Sequence, residues 1–305
     1  MKQMKFVAGV ISAVFILVLA SCGGKVGTST ASTTIKPISS EKIVIGRVPS
    51  GNPLDILEQM EPLIKLLKDE LGVEIEVRFA ADYADFTADM INQDFDLAFC
   101  APFQYIEAHE KAGYDAVLRP MRFGADTYAG ILITATKGIN TIKDLRGKKI
   151  GFADRKSTSG FIFPLGLLAA NGLEKDKDFS GDFLNGHDNV VLNVLQGNYA
   201  AGACYEGAEV RHGGSRAHEI RIIAKTEPIA NEPIAISPTF LKDRPELAQK
   251  TIEVFRTLHE RPGGDKALTA YSRGVDRFVG ATDADYDSVR HYKENLPEKV
   301  IAGIQ

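Results

Sequence analysis

Apolar positions along this chain repeat in two alternating periods, and the alternation lays out an α/β order. Residues 42–47 (KIVIGR) read as a buried strand opening into the loop VPSGNP. Ile56, Met60, Leu63, Ile64, Leu67 and Leu71 recur at helical spacing, which predicts an amphipathic helix over 55–71, ended by Gly72. Residues 74–79 (EIEVRF) alternate as a strand, 83–92 read as a helix, and 96–100 (DLAFC) as a short buried strand. The next helix starts at Ala101-Pro102, where the missing N–H of proline falls on a position with no intrahelical acceptor. Strands alternating with helices predict a parallel sheet covered on both faces.

A second series follows the first. Residues 128–136 (YAGILITAT) form a longer apolar strand, 141–145 a short helix with a Thr cap, and 149–153 a strand. The turn Ser157-Thr158-Ser159-Gly160 then leads into the apolar helical run FIFPLGLLAA. Gly186-His187-Asp188 precedes a helix over 190–196, and strands are expected near 200–204 and 221–225. Two prolines in 226–233 make that segment an extended crossing to a strand at 235–237, and 245–304 read as helices. The chain therefore crosses twice between two α/β lobes, near 129–136 and 226–236. Lobe 1 comprises 41–132 plus 234–305 and lobe 2 comprises 133–233, with a hinge and a cleft between them. No internal repeat is visible.

The first 40 residues stand apart from this pattern. Lys2 and Lys5 precede an uncharged apolar run of 15 residues, Phe6 to Ala20. A spanning helix needs roughly 20 residues, so the run suits a signal segment (1–21). It ends in Leu19-Ala20-Ser21-Cys22, which resembles a bacterial lipobox with Cys22 as the lipidated first residue of the mature chain. Residues 22–40 are rich in Gly, Ser and Thr and are expected to act as a flexible tether. An ordinary signal peptide with a chance cysteine is the alternative.

Composition narrows the function classes. About 265 residues remain after the tether, enough for one large domain or two medium ones. The formal charge of −4 becomes −6 without Lys2 and Lys5. An acidic chain does not suit nucleic acid, and any anion site must rely on local donors. Cys100 and Cys204 either pair in an oxidising compartment or stand as separate buried thiols. There is no G-x-S-x-G elbow, no H-E-x-x-H and no Walker A sequence, so neither a hydrolase nor a nucleotide-hydrolysing site is expected. His212 and His218 in RHGGSRAH lack further ligands at metal spacing and read as a solvated loop.

The STSG turn carries the candidate chemistry. A strand, a tight turn and a helix start offer free N–H groups, hydroxyl donors and the positive end of a helix dipole, which suit an oxyanion. A plain N-cap is the other use of such a turn.

Five segments in order, AADYADFTADM, DLAFCAPFQYIEA, TIKDLRGKKIGFADRKSTSGFIFP, NGHDNVVLNVLQGNYAAGA and EPIANEPIAIS, resemble the PhnD-like substrate-binding components of phosphonate ABC transporters. The resemblance spans about 42–245. It implies a two-lobed, type II periplasmic-binding-protein-like α/β fold, each lobe a mixed sheet flanked by helices, and a carrier with no cofactor and no enzymatic activity. The ligand it implies is a small phosphorus oxyanion: phosphonate, phosphite or phosphate. The implied partners are an ABC permease and its ATPase, with the membrane reached through the lipid anchor. Ser157, Thr158 and Ser159 would hold the oxyanion, His187 would complete its site, and Tyr83 and Tyr105 match aromatic contacts. Relatives commonly carry Asp where this chain has Ala200, and that acid would face the ligand; its absence favours an inorganic or alkyl ligand over an aminophosphonate. Another solute on the same scaffold, such as a sulfonate or vitamin precursor, or a sensory lipoprotein feeding a signalling partner, are the competing readings.

Overall fold

The computed structural model describes residues 41–296, so the expected signal segment, the tether and Cys22 lie outside the described residues. The first series of elements is β1 (Lys42–Arg47), α1 (Pro53–Leu71), β2 (Glu74–Arg78), α2 (Tyr83–Ile91), β3 (Leu97–Phe99), α3 (Pro102–Ala112) and β4 (Asp115–Arg122). The second is β5 (Thr127–Tyr128), β6 (Gly130–Thr134), β7 (Lys149–Phe152), α4 (Phe163–Ala170), β8 (Ser180–Phe183), α5 (His187–Leu195), β9 (Ala201–Tyr205), α6 (Ala208–Gly213) and β10 (Arg221–Lys225). The chain returns through β11 (Ile229–Ala230) and β12 (Ile234–Ile236) to α7 (Pro238–Asp243), α8 (Pro245–Arg256), α9 (Gly264–Tyr271), β13 (Val275–Gly280) and α10 (Asp287–Glu294).

These strands form a six-stranded sheet in the order β13-β4-β12-β3-β1-β2 and a five-stranded sheet in the order β10-β6-β9-β7-β8. Both are mixed. In the first, β1 runs parallel to β2 and β3, but the returning β12 enters antiparallel between β3 and β4, and β13 closes the edge antiparallel. The parallel order expected from strand–helix alternation holds for β1, β2 and β3 and is corrected at β12 and β13, and the mixed sheet in each lobe is the one the resemblance implied. A strand that arrives from the other half of the chain need not follow the right-handed crossover that makes neighbours parallel. Likewise the all-helical reading of 245–304 is corrected by β13.

Alternation along the strands feeds separate cores. Ile43 and Ile45 of β1, Leu97 and Phe99 of β3, and Ile234 and Ile236 of β12 face one core, which α1, α8 and α9 complete through Leu63, Leu67, Phe255 and Leu268. The intervening Val44, Ala98 and Ala235 face the opposite side. In the second sheet, Ile131 and Ile133 of β6 meet Val190, Val191 and Val194 of α5, while Leu132 points the other way. This period of two is the geometry of an extended strand buried on both faces.

The chain passes between the sheets at two places, and there β5 and β11 pair antiparallel, Tyr128 opposite Ile229 and Thr127 opposite Ala230. Buried Asn231 ties the ribbon down, its side-chain amide donating to Pro120 O at 2.8 Å and Ala125 O at 3.1 Å. Cys100 and Cys204 are separate buried thiols, which decides between the two possibilities left open by their spacing.

Candidate functional site

The C-terminal ends of β1, β3, β7 and β9 open onto one cavity of about 800 Å³. In open α/β sheets that end of the strands is where ligands sit. Arg47, Ser50 and Cys100 come from the six-stranded side, Ser157, Ser159 and Tyr205 from the five-stranded side, and Tyr128 from the crossing ribbon.

The STSG turn follows β7 directly and is wound as a π-helical turn, Thr158–Ile162, before α4. Ser157 caps it: its Oγ accepts Gly160 N at 3.1 Å, and its carbonyl accepts both Phe161 N at 3.1 Å and Ile162 N at 3.0 Å. The first-turn N–H of Ser159, which lines the cavity, precedes any intrahelical acceptor and remains as a donor. Gly160 is required by space. A Cβ there would stand 2.5 Å from Ala153 Cβ and 2.8 Å from His187 Cε1.

His187 begins α5 and lies against this turn, its Nε2 3.4 Å from Ser157 Oγ. Its Nδ1 accepts the backbone N–H of Tyr205 at 3.3 Å, so in the neutral ring the proton sits on Nε2, facing the turn. Burial, with a smaller push from His212, lowers the His187 pKa to about 3, so the ring is a neutral donor at ordinary pH. The Tyr83 hydroxyl stands beside Ser157 and that of Tyr128 beside Ser159. Burial pushes both phenols far up, Asp154 adding to it at Tyr83 and Glu232 at Tyr128, so both stay protonated. One wall of the cavity therefore offers hydroxyl, imidazole and backbone N–H donors, none of them carrying a charge. Such a wall can hold an oxyanion by hydrogen bonds alone.

Of the six expected ligand residues, Ser157, Ser159, His187 and Tyr83 line this cavity together. Two do not, and both are corrected. Thr158 is fully buried, and its hydroxyl oxygen accepts Phe103 N at 3.1 Å, which makes it a brace between the turn and α3. Tyr105 points to the far side of α3. Its hydroxyl donates to Asp283 at 2.9 Å and accepts Ala116 N at 3.3 Å, and its ring packs on Tyr286 with centroids 4.8 Å apart. Ala200 is not in the cavity either; it precedes β9, where its carbonyl accepts the Thr134 hydroxyl. The absence of an acid at position 200 therefore does not bear on the ligand. The reading of RHGGSRAH as a solvated loop is also corrected at His212. That residue sits on α6, lines the cavity and meets the Tyr205 hydroxyl at 3.0 Å.

Tyr128, Tyr205, Arg47, Arg122 and Glu232 also line the cavity and were not singled out from the sequence. Arg122 makes a two-pronged ion pair with Glu232, whose carboxyl burial alone would raise; Arg122, helped by Arg47, holds it below the usual carboxylate range. Tyr128 opens an apolar run and reads there as a strand residue, and Arg47 closes another, so composition hides both. The one local signal was N-E-P at 231–233, an acid beside a proline in a crossing segment. Among the described residues, no group of three or more His, Cys, Asp or Glu side chains is placed to hold a metal ion, and no helix is long and apolar enough to cross a membrane.

Comparison with known proteins gives the following. Residues 45–286 match the family described as the phosphonate periplasmic substrate-binding protein of ABC transporters. The chain is 30% identical over 300 residues to the phosphate-import protein PhnD of Mycolicibacterium smegmatis, covering 90% of this chain and 91% of that one. Among solved structures, a binding-protein component of a Pseudomonas aeruginosa phosphonate ABC transporter superposes with a TM-score of 0.78 at 19% identity, over 87% of this chain and 89% of the other. PhnD1 of Prochlorococcus marinus in complex with methylphosphonate superposes with a TM-score of 0.74 at 18% identity, over 85% of this chain and 99% of the other.

Proposed function

We propose how ligand is held by this chain, which belongs to the phosphonate-binding family of ABC-transporter periplasmic substrate-binding proteins: the wall built by Ser157, Ser159, Tyr83, Tyr128 and His187 receives the PO₃ group of a phosphonate, phosphite or phosphate. The observation that carries this is the convergence of those five side chains on one cavity, next to the first-turn N–H of Ser159. The donors are neutral, so the anion's charge is met by hydrogen bonds and the helix start, and no counter-charge is needed beside it.

The carrier works outside the cytoplasm and delivers to a permease driven by a separate ATPase. In this reading Cys22 carries lipid and residues 22–40 tether the binding domain to the membrane. The two halves of the fold, one around each sheet, act as lobes that close on the ligand, exclude water and strengthen each hydrogen bond.

Calorimetric titration of the full-length protein with phosphate, phosphite, methylphosphonate and sulfate tests the reading. Binding of a phosphorus anion at micromolar or lower concentration, with sulfate silent, is expected. In the double variant Ser157→Ala/Ser159→Ala two bonds to a charged group are lost at about 1.5–3 kcal/mol each, which weakens binding about a hundredfold or more. Unchanged affinity in that folded variant refutes the assignment.

A further inference from the structure

Beside the neutral donors of the STSG wall the same cavity is lined by cationic groups. Arg47 and Arg122 are two of them, and one carboxylate, Glu232, stands with them. Both oxygens of Glu232 are engaged by the Arg122 guanidinium, so the pair is internally neutral and Glu232 has no oxygen left over for a ligand amine. Arg47 is different. Its guanidinium lies 5.2 Å from the centre of the Tyr271 ring and 5.9 Å from that of Phe99, and its buried Nε has no hydrogen-bond partner. Aromatic faces attract the charge but accept none of the five guanidinium N–H bonds in line. Among the described residues Arg47 has no ion-pair partner, and its buried Nε has no acceptor.

None of the remaining acids of the lining is paired with Arg47. Asp188 accepts the backbone N–H of Asn52 at 3.1 Å and of Asn189 at 2.9 Å. Glu206 is paired with Lys225. Asp55 belongs to the first turn of α1. On the same wall as Arg122, Phe123 N donates to Gly274 O at 2.9 Å, which brings Arg273, a further cation of the lining, beside the Arg122 strand. Cys100, also in the lining, keeps its thiol protonated because burial pushes its pKa up, so it adds no negative charge.

Arg47 is half-buried with a buried, unpartnered Nε, and such a charged group is costly unless something on the ligand completes it. We propose that Arg47 receives a second anionic group, so that the physiological ligand is a phosphorus oxyanion carrying a carboxylate or a second phosphoryl group on a short linker. This rests on the PO₃ group being held by the STSG wall. A cavity of about 800 Å³ leaves room for it, since pockets of that size commonly hold ligands much larger than a tetrahedral anion. A guanidinium is suited to the task because its planar fork matches a carboxylate or phosphoryl group with two parallel bonds.

The test is a titration of the full-length protein with methylphosphonate, 2-aminoethylphosphonate, phosphonoacetate and methylenediphosphonate, repeated on Arg47→Gln. Phosphonoacetate or methylenediphosphonate is expected to bind at least tenfold tighter than methylphosphonate, and whichever of the two wins identifies the second group. Arg47→Gln should bring that ratio close to one, its loss falling far more heavily on the two-anion ligands than on methylphosphonate. The ranking in the unaltered protein decides the matter even where the variant does not fold. Methylphosphonate bound as tightly as the two-anion ligands, or 2-aminoethylphosphonate bound more tightly, overturns the proposal and leaves the STSG reading standing. Silence from all four ligands and from phosphate overturns both.

Discussion

His187 shows how one side chain links the site to the stability of the fold. In an unfolded chain a histidine takes up its proton near pH 6.5, whereas in the folded protein His187 does so only at about 3, and His212 only at about 4. Between those values the unfolded chain binds protons that the folded chain refuses, so stability must rise with pH there. The contribution of the neutral buried ring is complete above about pH 6.5 and is lost as pH falls toward 3. From pH 7 to pH 5 this amounts to about 2 kcal/mol for one such histidine. His187→Gln keeps a side chain able to donate a hydrogen bond but removes the titration. Its urea-unfolding free energy should therefore fall less between pH 7 and pH 5 than that of the unaltered protein, by roughly that amount, with the His212 part remaining. Identical pH slopes in the two proteins would mean that the ring is hydrated and charged in the folded state.

At the scale of elements, the tight seat of the π-helical turn is the feature that most directly positions the site. The space Gly160 leaves is filled from three sides by Ala153, His187 and Ser157. A methyl group at 160 would push the turn off the end of β7 or His187 off the turn. Gly160→Ala is expected to cost about 1–3 kcal/mol of stability and to weaken phosphorus-anion binding at least tenfold, as read by thermal unfolding and calorimetry. Gly280 at the end of β13 has nothing within 4 Å of its would-be Cβ, so Gly280→Ala is the control and should leave both measurements unchanged. The elements that carry this turn were legible in the chain. KIVIGR, the 3.6-residue rhythm of 55–71 and the run after STSG each state their structure locally, because periodicity reports which faces are buried. Local pattern does not report which neighbour buries them. It placed Tyr105 on a helix correctly but left its face undecided, and the packing of α3 on Tyr286 and Asp283 turned it away from the cavity. The same limit hid the cationic groups, since Arg47, Arg122 and Glu232 are separated by up to 185 residues and meet only through the return of β12.

At the scale of the whole molecule, the two halves meet around the cavity through a small set of polar contacts. His187 N donates to Ser50 O at 3.0 Å, Asn52 N to the Asp188 carboxylate at 3.1 Å, and Phe103 N to Thr158 Oγ1 at 3.1 Å. Lys156 beside the STSG turn makes a 2.8 Å ion pair with Glu107 of α3, both side chains about one-fifth exposed. Burial would raise the Glu107 carboxyl pKa, but its bonds to Lys111 and Lys156 outweigh that and hold it below the usual range. Each of these contacts exists only while the halves are together. A carrier whose halves part to release ligand must break them in the opening step, so they stabilise the bound state relative to the open one. Glu107→Gln removes the charge pairing with little change in shape. A half-buried pair of this kind is worth up to about 1 kcal/mol, so the dissociation constant for a phosphorus anion should rise by no more than about fivefold. The change should fall on the off-rate, because the open form that first meets ligand lacks the contact. Stopped-flow association and dissociation rates separate the two. A raised off-rate with an unaltered on-rate fits halves that open and close on the ligand. A loss of thermal stability in the ligand-free protein with both rates unchanged would mean that Lys156 and Glu107 join parts of one rigid body, and that ligand enters and leaves without the halves moving.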